Sequence, residues 1–367
     1  MAAVFQAIAP RPAPVKTTGL VPWLRRNLFG GWKSAFTTAV IALVAIAYLP
    51  DIASWAIVHA VFQANVQECS GARGTGACWG VIAEKHRFII FGRYPYDQQW
   101  RPELATVLMV ALLAMSCMRR FWRWWLAPVW IAVLAVYFFL MRGGALALPY
   151  VPTDQWGGLP LTVMLATLGI LFAFPIAVVV ALGRRSNLPA IRSLCIVYVE
   201  LIRGVPLISV LFMASFLFPL FVPVGMSPDV LLRVLIGITL FAAAYLAETI
   251  RGGLQAVPKG QVEAAVTLGL SYWQTQRKIV LPQALAIVVP SIVNSFIGIF
   301  KDTSLVTIVS LYELTGAMSL ALNSDADWRP YKIEAYIFIT LIYFAFCFAM
   351  SRYSLWIEKQ VGASKNR

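Results

Sequence analysis

Glu200, Arg203, Tyr245, Glu248, Asn294 and Asp302 are polar or ionisable side chains set in stretches that are otherwise mostly apolar. An ionised group in such surroundings is costly, so it marks either an internal pair or the route of a polar solute. Glu248 would suit the ammonium of a zwitterion, with Tyr245 about one turn earlier on the same helix face. The same carboxylate would equally pair with Arg251, three residues on. Glu200 and Arg203 stand in the same relation and leave the same choice open, helix-face ion pair or solute contact. Asn294 and Asp302 lie in a run that also holds Pro282 and Pro290, and interrupted helices tend to line cavities. Asp51 and Arg233 suit interfacial anchoring. Covalent and metal chemistry lack their parts. There are 2 histidines, His59 and His86, with no HExxH, no zinc-spaced Cys/His cluster and no Gly-rich loop ending in Lys-Ser/Thr. This chain is therefore expected to bind no metal and to hydrolyse no nucleotide by itself.

Lipid must hold these residues in place. Of 367 residues 60% are hydrophobic and 13% charged, against about half and about a quarter in soluble domains. A water-soluble fold of this size cannot hide so much apolar surface. Runs near the length of roughly 20 residues that a bilayer demands predict an all-α integral membrane protein of about eight transmembrane helices. They fall at 36–62, 103–118, 126–141, 157–183, 205–222, 231–250, 279–300 and 333–352. The second and third are short, and aromatics such as Trp122, Trp124, Trp125 and Trp130 are expected to extend them into the interface. Kinks are expected at Pro160, Pro175, Pro206, Pro219 and Pro290, and at Pro50-Asp51 a kink or the approach to the interface.

The formal net charge of +14 would suggest nucleic acid in a soluble protein. Here the basic residues are scattered between apolar runs, and no nucleic-acid partner is expected. One set of alternate loops, including Arg25, Arg26, Arg119, Arg120, Arg184, Arg185, Arg251, Lys259, Arg277, Lys278 and Arg352, is about twice as rich in Lys and Arg as the other, and the richer side should be cytoplasmic. Both termini then lie inside. The stretch before the first run lacks the pattern of a cleaved signal. Cys117, Cys195 and Cys347 sit in apolar runs as packing residues. Cys69 and Cys78 flank a Gly-rich turn in the first outer loop and are candidates for a disulfide on the oxidising side.

The most structured polar stretch is the inner connection 251–278. Pro258 suits the start of a helix, Gln261–Leu268 are mostly good helix formers, and Gly269 is a natural stop. Ser271 and Gln274 then form a capping box, and a second short helix should run to about Ile279. A helix–break–helix on the inner face follows. It is either a surface for a partner, with alanines allowing close approach, or simply a well-capped interfacial helix.

Here the residues resemble a known family. Glu263-Ala264-Ala265, Gly269 after three residues, and Ile279-Val280-Leu281-Pro282 after nine more resemble the EAA loop of the membrane subunits of bacterial ABC importers. Tyr198–Leu207 resembles the E-x-x-R-G-x-P-L element of polar amino acid permeases. Ala244–Gly253 with Val257–Gln261, and Lys301–Leu305 with Glu313, resemble two further elements. Cys78-Trp79-Gly80-Val81-Ile82 in the outer loop is similar to the general L-amino acid permease branch. The resemblance implies a cytoplasmic tail over 1–35, a three-helix extension with a periplasmic loop over 36–150, a five-helix permease core over 151–360 and a tail over 361–367. It implies residence in the bacterial inner membrane and an amino acid substrate. A dimer of ABC ATPase subunits would use ATP and Mg, neither bound by this chain. A second permease subunit, homologous and different, and a periplasmic amino acid-binding protein would complete the machine. Glu263, Ala264, Ala265, Gly269, Ile279, Leu281 and Pro282 would couple to the ATPase. A secondary transporter of small polar solutes is the competing reading, but it should show paired interrupted helices in two halves, and none are visible.

Overall fold

In the computed structural model, which describes residues 19–223 and 225–365, every long apolar run is helical. It forms two units, Met1–Gly80 and Val81–Arg367. The first contains α1 (Leu20–Leu28), α2 (Trp32–Ala53) and α3 (Val66–Gly71). α2 continues through Pro50 and widens into a π-turn over Ser54–Val58. The loop beyond is tied by the Cys69–Cys78 disulfide, with Cα atoms 5.4 Å apart. Trp79 Nε1 donates to Ala56 O at 2.8 Å, and Asn65 caps α3 through the Gln67 and Glu68 amides.

The second unit continues with α4 (Gly80–Phe91), α5 (Trp100–Cys117), α6 (Leu126–Arg142), α7 (Gly158–Gly183), α8 (Pro189–Arg203), α9 (Leu207–Phe212) and α10 (Val230–Ala256). α11 (Lys259–Thr267), α12 (Tyr272–Thr275), α13 (Leu281–Asp302), α14 (Leu314–Asn323) and α15 (Lys332–Lys365) complete it. Among the described residues six helical stretches are long and apolar enough to cross a membrane, or up to seven if the bent pair α8–α9 counts as one. The expected count of about eight is approximate at two places. α6 is a 17-residue helix, because the aromatics before it do not extend it: Trp122 folds back and donates to Ser116 O at 2.7 Å, satisfying a free carbonyl at the end of α5. The 205–222 run is a short helix, Leu207–Phe221, that counts as a span only together with α8. It turns 103° from α8 across Gly204-Val205-Pro206, where proline excludes the preceding residue from helix.

α7 is the centre of the second unit and packs against α5, α8, α10, α13 and α14. Association between helices in lipid depends on close packing of small residues more than on burying apolar area. Ala173, Ala177 and Ala181 recur every four residues along α7, all fully buried. A Cβ on Gly169 would meet Ile238 of α10 at 3.0 Å. α10 and α13 approach still more closely at Gly253, where a Cβ would stand 2.6 Å from the Ala284 carbonyl oxygen. That crossing pins together the two ends of the polar stretch between them.

Candidate functional site

Between α10 and α13 the chain makes the expected helix–break–helix. Val257 leaves α10 in extended conformation and Pro258 takes the N-cap position of α11. α11 ends at Gly269, whose φ of +74° lies in the left-handed region that glycine enters without strain. The Leu268 and Gly269 amides close onto Ala264 O and Val266 O. Ser271 and Gln274 form a complete capping box. The second helix then does not stop before Leu281-Pro282. It widens into a π-turn over Gln276–Val280 and runs on into α13, with Pro282 just past the π-turn. Arg185 donates to Leu254 O at 2.6 Å, and Gln283 to Ile279 O at 2.9 Å. The Arg185 contact holds the end of α10 that leads into the segment, and the close approach of Gly253 to Ala284 holds α10 to the start of α13 beyond it.

Its side chains divide into two sets. Ala265, 1% exposed, and Val280 face inward, and Ile279 and Leu281 are half-buried. Glu263, Ala264 and Pro282 are exposed. So are Val266, Leu268, Tyr272 and Trp273, the last 70% exposed, with Tyr272 and Trp273 in edge contact. The two alanines of the motif therefore do different work. Ala264 shares the open surface with Glu263, whereas Ala265 fits the helix against its own chain.

One ion cluster lies at the end of α10 that leads into this segment. Arg251 grips Glu248 through both carboxylate oxygens, at 2.9 and 2.5 Å. Arg184, which follows α7, reaches Glu248 at 2.7 Å and Glu200 of α8 at 2.9 Å. Of the two roles open for Glu248, the structure displays the pair, doubled by a second guanidinium. Glu200 is bound to Arg184 rather than to Arg203 on its own helix. Arg203 instead stands over the Tyr245 ring, 5.5 Å from its centroid. Arg184 was invisible as a site residue because its partners are 16 and 64 positions away. The only local signal is a cation placed where an apolar run ends.

The remaining path residues separate into two cavities. Tyr245 and Asp302 face a cavity of about 270 Å³ between α10 and α13, together with Phe241, Ser295 and Gly298. Asn294 opens instead on a cavity of about 300 Å³ between α13 and α15, beside Ser291, Ser351 and Ser354. The anchor expected of Arg233 is a contact with the Ser215 carbonyl.

Glu313 is fully buried and caps α14 through the Thr315 and Gly316 amides, both at 2.9 Å. It also accepts from Tyr343 at 2.8 Å, Thr307 at 3.1 Å and Thr162 at 3.4 Å. It thereby joins α7, α14 and α15. Outside the spans, Lys85 and Asp325 pair at 2.7 Å, and the Lys85 ammonium holds the Asp325 carboxyl below its usual range.

This arrangement, a helical membrane core interrupted by a capped polar segment, belongs to a known class. Residues 169–362 match the family described as binding-protein-dependent transport system inner membrane component, and the chain is a member of that family and a multi-pass membrane protein. It is 42% identical over 374 residues to the inner membrane amino-acid ABC transporter permease protein YhdY of Escherichia coli (strain K12), covering 100% of this chain and 99% of the relative. It is 39% identical over 421 residues to the glutamate/glutamine/aspartate/asparagine transport system permease protein BztC of Rhodobacter capsulatus, covering 97% of each. A crystal structure of an amino acid ABC transporter with histidines aligns at 28% identity and a TM-score of 0.49, covering 55% of this chain and 92% of that one.

Proposed function

We propose that this chain is the membrane subunit of an ATP-driven amino acid importer, forming part of the solute path and receiving work from a separate ATPase through Glu263–Pro282. The observation that carries the reading is the open surface of Glu263, Ala264, Leu268 and Trp273 on a segment whose flanking helices are pinned together at Gly253 and Ala284. A surface of this kind suits docking. A rigid body tethered between two spanning helices passes displacement to both of them. ATP and Mg belong to the ATPase dimer. A second, homologous and different permease subunit faces this one, and a periplasmic binding protein delivers the amino acid. The termini are cytoplasmic on the charge distribution of the loops. Tyr245 and Asp302 are the path residues supported by a shared cavity, with Arg203 at the Tyr245 ring. Glu248 and Glu200 act as internal counterions.

Reconstitution with the partner ATPase tests this. Glu263→Lys should cut uptake by about tenfold or more, the loss expected when a buried charge contact at an interface is broken, while thermal unfolding of the permease stays unchanged. Gly269→Asp should also lower uptake, with some loss of stability because its φ of +74° strains any side chain. Full uptake and full ATPase association in both variants would refute the coupling role.

A further inference from the structure

α1 has no assigned part in any of this. Leu20, Leu24 and Leu28 recur every four residues with Val21 beside them, Pro22 and Arg26 fall on the opposite side of the helix, and Arg25 lies at the edge of the stripe. Among the described residues its apolar side is only partly covered: no residue of α1 is buried, Leu20 and Val21 are 78% and 75% exposed, and Leu24 is 38% exposed.

The corner after α1 is built rather than loose. Thr38 donates to Leu28 O at 2.9 Å and Ser34 to the same oxygen at 3.1 Å, satisfying carbonyls that a helix end leaves free. Gly30 lets the chain turn tightly, since a Cβ there would stand 2.6 Å from Arg26 O. Three residues separate α1 from α2, which belongs to a stretch long and apolar enough to cross the bilayer. α1 is therefore held within reach of the headgroup layer.

Charge decides what covers it. The first acidic residue of the chain is Asp51, so Arg25, Arg26 and Lys33 face no carboxylate in the sequence before it. Trp32, with Lys33 over its ring at 5.8 Å, supplies the amphipathic aromatic common at a membrane interface. A short helix with an apolar stripe, a basic opposite face and flanking tryptophans lies in the plane of a membrane surface. We propose that α1 is an in-plane anchor that docks its leucine stripe into, and its arginines onto, an anionic lipid surface at the leaflet where the start of α2 emerges. The inference depends on α2 crossing the membrane and is independent of the import reading.

The test uses the full chain with Cys117, Cys195 and Cys347 changed to serine and the Cys69–Cys78 disulfide retained. A spin label is placed at Leu24→Cys on the apolar stripe or at Pro22→Cys on the basic side. The protein is put into nanodiscs of phosphatidylcholine alone, or of equal parts phosphatidylcholine and phosphatidylglycerol. With phosphatidylglycerol the Leu24 label should be shielded from a water-soluble nickel chelate and reached by oxygen, while the Pro22 label stays open to the chelate. Each basic residue near an anionic surface contributes about fivefold in binding. Arg25→Gln with Arg26→Gln should therefore lower the ratio of inserted to water-exposed label by about tenfold or more in the anionic discs. Equal chelate access at both positions in anionic discs would overturn the proposal. So would shielding of Leu24 that is the same in both lipids and untouched by the arginine changes, which would mean that protein covers the helix.

Discussion

Two glutamates in this chain, Glu263 within α11 and Glu313 at the cap of α14, do opposite things. Glu263 is exposed, and its neighbours on the open surface are apolar side chains facing outward. Glu313 is sealed inside and met by five donors from its own helix cap, α7, the turn before α14 and α15. Burying a carboxylate is tolerable only when its oxygens are satisfied from within, so Glu313 is spoken for by its own fold. Glu263 is left for whatever binds from outside. The same division recurs within the EAA motif, between Ala264 and Ala265.

The largest expected effect breaks the buried side of that contrast. Glu313→Ala strands two helix-cap amides and removes the acceptor of three hydroxyl groups, and each buried donor left unsatisfied costs about 1–3 kcal/mol. Thermal unfolding in nanodiscs should show a loss of several degrees, whereas Glu263→Ala should leave the midpoint in place. Equal shifts in the two variants would erase the distinction.

Next in size is the crossing that pins the segment. Gly253→Val places branched carbon against the Ala284 carbonyl, and a Cβ already meets that oxygen at 2.6 Å. Overpacking of this kind costs about 1–3 kcal/mol and must part α10 from α13. Uptake per ATP hydrolysed should fall more than thermal stability does. Gly252→Val is the control, because a Cβ at 252 meets nothing within 4 Å.

How much of this was legible depended on the range of the interaction. The capping box at Ser271–Gln274 and the glycine stop at 269 are local, governed by backbone groups within four residues, and the sequence displays both. The Arg184–Glu248–Glu200 cluster joins three helices, and no local spacing announces it. Pro206 marked a break, but nothing in the residues gave its 103° turn, because direction is set by what α8 and α9 pack against. Trp122 illustrates the limit of composition. Its aromatic character suited a span extension, while its indole N–H found a better use at a helix end.

The smallest effect concerns pH. Lys85 lowers the pKa of Asp325 in the folded state, so the unfolded chain binds the proton more readily. The contribution is then fully present above the unfolded value near 3.9 and disappears as pH falls through the lower folded value. Unfolding midpoints of the parent and Asp325→Asn should differ slightly at pH 7 and converge in acid. A difference that grows in acid would contradict the pairing.

The central claim is that the face of α11 carrying Glu263 and Ala264 touches the ATPase. The direct measurement is site-directed cross-linking in the intact assembly, with cysteine at position 264 or 265 and a short bifunctional reagent. The account predicts an ATPase adduct from Ala264→Cys and little from Ala265→Cys, whose position is buried against its own chain. Equal yields from both, or none from Ala264→Cys while the assembly still transports, would contradict it.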